Sequence, residues 1–173
     1  MVLTSEQWLE LGNDTLSKRC DLEHNYESIV SKYGRNTPLP KRFYKLKYEF
    51  GQLRSLLDDL VNSQYPTLLA RCDAQASSFD LLPGTDIRLT NVFYGREPSN
   101  FMNQMNSIKY VRPYPKCLDV QQRAIIDTLF QNLYSYLNTV RACFPHHSLV
   151  TKHLNKIEHE LHTTEELIIM SNA

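Results

Sequence analysis

Six large apolar residues, Phe43, Leu46, Phe50, Leu53, Leu57 and Leu60, follow one another at alternating steps of three and four. A strand would scatter them over two faces. An α-helix of about 3.6 residues per turn gathers them into one stripe. Such a stripe is stable in water only when another helix covers it. This one pattern excludes an all-β chain and demands at least one helical partner.

The same spacing recurs three times. Trp8, Thr15, Leu22, Tyr26, Ile29 and Tyr33 mark a first stripe, flanked by Leu16 and Val30. Ile126, Leu129, Leu133, Leu137, Val140 and Phe144 mark a third, and Val150, Leu154, Ile157, Leu161, Thr164 and Ile168 a fourth. Punctuation sets their ends. Thr4 and Gln7 have the spacing of a capping box, and Gly34 suits a left-handed C-cap. Pro38 and Pro40 lie in a linker, 35–40, through which a helix cannot run. Pro66 and Pro145 end or kink what precedes them, and Ser148 is placed to cap the last helix. Gly51 lies in mid-helix at a cost of about 1 kcal/mol relative to alanine. Close approach of another backbone is the reason expected for it.

Short connections make consecutive helices antiparallel neighbours. The expected architecture is all-α: two long helical hairpins packed as a bundle and joined by an irregular central segment. It forms one domain, 1–173, made of an N-terminal hairpin (1–77), an irregular connection (78–116) and a C-terminal hairpin (117–173). After Pro66, still within the first hairpin, a helical turn or several are expected from Thr67 to about Ser77. Turn chemistry follows at 81–86, an extended piece at 87–93, a short helix after Ser99, and a second extended piece at 111–115.

Composition narrows the function. Lysine plus arginine and aspartate plus glutamate number 19 each, so the chain carries no net charge to draw it to nucleic acid or an anionic membrane. The N-terminus has no basic leader before an apolar run, and no apolar stretch is long enough to span a bilayer. Cys20, Cys72, Cys117 and Cys143 form no C-x-x-C pair and read as reduced thiols of a cytoplasmic or nuclear protein. A secreted helical-bundle ligand is the rival, and it requires two disulfides among those four.

Chemistry-bearing motifs are scarce. No glycine-rich phosphate loop, H-E-x-x-H or G-x-S-x-G is present. His159 and His162 share a helical face, with Glu158 and Glu166 nearby, but a zinc site normally draws ligands from a second element. A solvated helix face explains them more simply. Cys143 with His146 or His147 is weaker still. Asp58 and Asp59 point about 100° apart on a helix and make no acid–base pair alone. The sequence therefore points to no cofactor, no metal and no catalysis.

Two stretches combine base and aromatic. In Lys41-Arg-Phe-Tyr-Lys-Leu-Lys-Tyr48, Phe43 and Leu46 face the stripe, which leaves Lys41, Lys45, Tyr44 and Tyr48 on the opposite surface. In the middle segment, Arg88, Phe93, Tyr94, Arg96, Tyr110, Arg112 and Tyr114 stand among few acids. Arginine and tyrosine dominate protein-interface hot spots. The candidate partner-binding residues are Lys41, Lys45, Arg88, Phe93, Tyr94, Arg96, Tyr110, Arg112 and Tyr114. The alternative for the middle segment is that its aromatics fill grooves between helices.

The expectation is a non-catalytic protein–protein interaction or assembly subunit, of an adaptor kind, in an intracellular complex. Its partner is another protein chain, in a homo- or hetero-oligomer joined in coiled-coil fashion. The second expectation is a helical protein that oligomerises on nucleic acid. It would use Lys41, Arg42, Lys45, Lys47, Arg88, Arg96 and Arg112, and those residues would have to form one continuous basic surface.

Overall fold

A computed structural model describes residues 2–65, 93 and 118–171. Among these residues the chain is all-helical: α1 (Ser5–Tyr33), α2 (Pro38–Gln64), α3 (Val120–Cys143) and α4 (Ser148–Ser171). The expectations for Thr67–Ser77, for 81–92, for the helix after Ser99 and for 111–115 lie outside the described residues.

Each helix end has a local cause. Thr4 caps α1 in a reciprocal box: the Gln7 N–H donates to Thr4 Oγ1 at 3.2 Å, and the Thr4 N–H to Gln7 Oε1 at 2.9 Å. Gly34 ends α1 with φ 79° and ψ 137°. The positive φ needs glycine, but this ψ lies outside the left-handed helical well that the sequence suggests. The Gly34 N–H still donates to Val30 O at 2.9 Å while the chain leaves extended.

Two starts differ from expectation. α2 begins at Pro38, inside the presumed linker. Pro38 and Pro40 take the first and third helical positions, whose N–H groups have no intrahelical acceptor, so both are tolerated. Ser148 is already the first residue of α4, and His147 caps it: the Val150 N–H donates to His147 Nδ1 at 3.3 Å. An imidazole nitrogen here does the work usually given to a hydroxyl or carboxylate oxygen. At α3 the cap is Asp119, which accepts from the Gln122 N–H at 2.7 Å.

The helices close into a ring in which α1 packs on α2, α2 on α4, α4 on α3 and α3 on α1. Neighbours run antiparallel throughout. Trp8 meets Phe144 and Lys32 meets Asp119 along α1 and α3. Arg42 meets Glu160 and Glu49 meets Lys156 along α2 and α4. Across the diagonal α2 and α3 run the same way, with Phe43 stacked on Phe130 at 5.7 Å and Phe50 against Tyr136 at 5.5 Å. The chain therefore leaves α2 at the Trp8 end of the bundle and enters α3 at the Lys32 end. A 27-residue helix such as α2 spans about 40 Å, which is the traverse required. One long crossover of this kind is an established way to wire four helices.

The stripes read from sequence fill the core, with additions. All six residues of the fourth stripe are buried. Leu11 joins the first stripe, and Phe130 and Tyr136 join the third. In α2 the stripe passes from Leu57 to Val61, and Leu60 is only partly buried. Eighteen residues complete five turns of a straight helix, so Val61 stands in line with Phe43, while a strict heptad drifts off the axis. Gly51 also departs from expectation: a Cβ there would meet nothing within 4 Å, so no neighbouring backbone demands it.

One polar chain crosses the core. Thr15 Oγ1 donates to Leu11 O at 2.6 Å, which leaves its lone pairs to accept from the Tyr136 hydroxyl at 2.7 Å. Burial pushes the Tyr136 phenol well above its ordinary value, so it stays neutral. The bond fixes the register of α3 on α1.

Candidate functional site

The basic run at the start of α2 divides three ways, because successive helical residues rotate by about 100°. Arg42 turns toward α4 and pairs with Glu160 at 3.4 Å. Lys47 turns toward α1, pairs with Glu23 at 2.5 Å, and sits 4.3 Å from the centre of the Tyr26 ring. Lys41 and Lys45 point away from the bundle and make no ion pair among the described residues.

Tyr44 and Tyr48 share that outward side, each 58% exposed. Tyr44 leans on Tyr26 of α1, with ring centroids 6.2 Å apart. Tyr26 is buried enough that its phenol is pushed up, against the opposing charge of Arg35. The stack runs Lys47–Tyr26–Tyr44, so an exposed tyrosine is braced from beneath by a cation–aromatic contact. Lys41, Tyr44, Lys45 and Tyr48 thus form one outward patch with a firm base. Charge and flat aromatic area stand side by side on it, the pairing favoured in protein interfaces.

Phe93 is corrected. It is 0% exposed and meets Trp8 edge-on at 5.9 Å, while Trp8 also touches Phe144 at 5.6 Å. Trp8 itself is held by its indole N–H donating to Gln64 Oε1 at 2.9 Å. Phe93 plugs this end of the core and is unavailable to a partner, as the groove-filling alternative anticipated. Arg88, Tyr94, Arg96, Tyr110, Arg112 and Tyr114 lie outside the described residues.

The remaining candidates are dispersed. His162 pairs with Glu166 on its own helix at 3.2 Å, and among the described residues no three His, Cys, Asp or Glu side chains converge. Asp58 accepts from Asn62 at 3.3 Å, and burial followed by the charge of Asp59 raises its carboxyl. Cys20 and Cys143 are free thiols, and burial pushes the Cys143 thiol up, away from the reactive thiolate. No helix is long and apolar enough to cross a membrane among the described residues. Comparison with protein-family models, curated proteins and solved structures returns no match.

What sequence reading missed is lateral. It placed Lys47 with the outward lysines and said nothing of Tyr26 as the base of the patch. The signal was available in part: Glu23 and Tyr26 are three apart on α1, and an antiparallel partner places Lys47 against both.

Proposed function

We propose that this protein is a non-catalytic interaction subunit of an intracellular assembly, docking another protein chain on the outward face of α2 through Lys41, Tyr44, Lys45 and Tyr48. The observation that carries this reading is the exposure of two tyrosines that packing does not require, one braced on Tyr26, between two lysines with no carboxylate partner among the described residues. Free thiols at Cys20 and Cys143 suit a reducing compartment, and they do not suit the two-disulfide framework of a secreted ligand. Arg42 and Lys47 are neutralised within the bundle, which weakens the nucleic-acid reading: a phosphate-binding face would leave such cations open.

The test is affinity purification from cells with the wild-type chain and a Tyr44→Ala/Tyr48→Ala variant, followed by reconstitution with the purified partner. A hot-spot tyrosine is worth about 2 kcal/mol or more, so the variant is expected to bind at least ~10-fold more weakly with an unchanged melting temperature. A partner that binds both forms equally refutes this face. Co-purifying nucleic acid with salt-sensitive binding would replace the reading with its rival.

A further inference from the structure

From Lys41 to Asp59, α2 exposes Lys41, Tyr44, Lys45, Tyr48, Gln52 and Asp59 and no other residue. Steps of three, four and seven keep them on one helical face, which α1 and α4 leave uncovered. The charges on this face are sorted. Both lysines lie toward its N-terminal end and the aspartate toward its C-terminal end, with Tyr48 and Gln52 between. A face sorted in this way is complementary to its own reversed copy. We propose, on the docking reading above, that the partner of this face is the α2 of a second copy of this chain, laid antiparallel, with Lys41 and Lys45 of each copy flanking Asp59 of the other.

Neither helix stability nor packing within the bundle accounts for the sorting. A helix dipole favours acids in the first turn and bases in the last, and α2 has neither. Arg42, Glu49 and Lys47 of the same helix are paired with α4 or α1, whereas Lys41, Lys45 and Asp59 make no ion pair among the described residues. Asp59 also repels Asp58, whose carboxyl is raised by burial and then by that charge. A lysine arriving from a second copy offsets this repulsion. An axis crossing α2 near Gly51, midway between the lysines and Asp59, brings Tyr48 of each copy beside Gln52 of the other and makes the contact isologous. Basic and acidic residues number 19 each, so no net charge holds two copies apart. The 27 residues of α2 form a rod about 40 Å long and about 11 Å across, so two copies cover at most about 900 Å² in total. That is the size of a transient contact, and a dissociation constant of about 10–100 µM is expected.

Sedimentation equilibrium of the full chain at low salt, from about 1 to about 500 µM, tests this. The wild-type mass is expected to rise from 20.2 kDa toward twice that value. Lys41→Glu/Lys45→Glu and Asp59→Lys each set like charges against each other and are expected to weaken self-association about 10-fold with unchanged melting temperatures. Mixed one to one, the two variants meet with opposite charges at both ends of the contact and are expected to recover a dimer within about 3-fold of the wild-type affinity. Tyr48→Ala added to both is expected to weaken the recovered dimer at least ~10-fold, which separates docking from plain charge attraction. A wild-type monomer throughout, a dimer that neither charge variant weakens, or a mixture no tighter than either variant alone overturns self-pairing. If the wild type stays a monomer while Tyr44→Ala/Tyr48→Ala loses a cellular partner, self-pairing alone fails and the docking reading stands. If that variant also keeps every partner, both fail.

Discussion

The two hairpins solve the same folding problem with different materials. The α3–α4 hairpin is built mainly on leucine, isoleucine and valine with Phe130, Tyr136 and Phe144, and its cross-helix polar ties, Arg141 to Glu158 at 2.8 Å and Tyr134 to Glu165 at 3.2 Å, are partly exposed. It also buries Thr164, holds the His153 Nδ1 without a hydrogen-bond partner, and leaves Val120, Ile125, Leu149, Ile169 and Met170 exposed. The α1–α2 hairpin buries Gly12 and Thr15, carries Gly51 without a packing reason, opens a pocket beside Gly51 and Leu22, and displays two exposed tyrosines, one of them braced on Tyr26. Both hairpins carry residues that a stable bundle does not need: exposed aliphatic side chains on α3–α4, and exposed tyrosines beside lysines on α1–α2. On the proposed reading, the tyrosine–lysine surface of α1–α2 is the part that meets another chain.

Core truncation should break this contrast most strongly. Leu154 is fully buried in α4, and Leu154→Ala is expected to cost about 2–5 kcal/mol in urea unfolding. Leu22→Ala, beneath the pocket, is expected at the low end of that range, since the site already opens onto the groove. An equal or larger loss at Leu22 would show that the α1–α2 seam is packed as tightly as the other hairpin. Next comes the tie between hairpins: Tyr136→Phe leaves Thr15 without its donor and is expected to cost about 1 kcal/mol by the same assay. Gly51→Ala sharpens the contrast by reversing sign, with an expected gain of about 0.5–1 kcal/mol. A loss there would mean that packing needs the glycine after all.

The smallest effect is one of pH. Burial, then Lys156 and Lys152, hold the His153 imidazole below its ordinary 6.5, and Glu49 opposes them. Its Nδ1 is buried with no hydrogen-bond partner. A depressed value means that the unfolded chain takes the proton first. The contribution of His153 is therefore intact above pH 6.5 and is lost as pH falls through the folded value. Urea midpoints at neutral and mildly acidic pH should fall apart for the wild type and draw together for His153→Gln. Parallel profiles would remove His153 from the acid response.

Most of the bundle could be read from residue spacing, because a stripe reports which face of a helix is dry. Phe43 through Leu57 and Val150 through Ile168 needed no more than that. Spacing is silent on the flanks, and Leu11, Phe130 and Tyr136 escaped because they sit beside a stripe drawn too narrow. It also fails where a strict repeat and a straight helix part company, as at Leu60 and Val61. Boundaries followed backbone donors more than residue labels: Pro38 and Pro40 looked like a barrier and proved compatible with a first helical turn. The site was legible only as a run of residue types. Which lysine faces outward and which is spent on Glu23 depends on the neighbouring helix. Phe93 shows the same limit, since an aromatic in a long connection fits a partner and a core equally well until Trp8 and Phe144 are placed around it.

The long crossover bears on how fast such a chain can assemble. Each hairpin is joined by a turn of a few residues and can form on local contacts. Docking one hairpin on the other must bring Thr15 to Tyr136, 121 residues apart in sequence. The entropy of closing so large a loop is lost before most of the core is gained. Hairpin formation should therefore be fast, with the union of the hairpins as the slow step. A shorter connection cannot remove that delay, because the link from α2 to α3 must still run the length of the bundle.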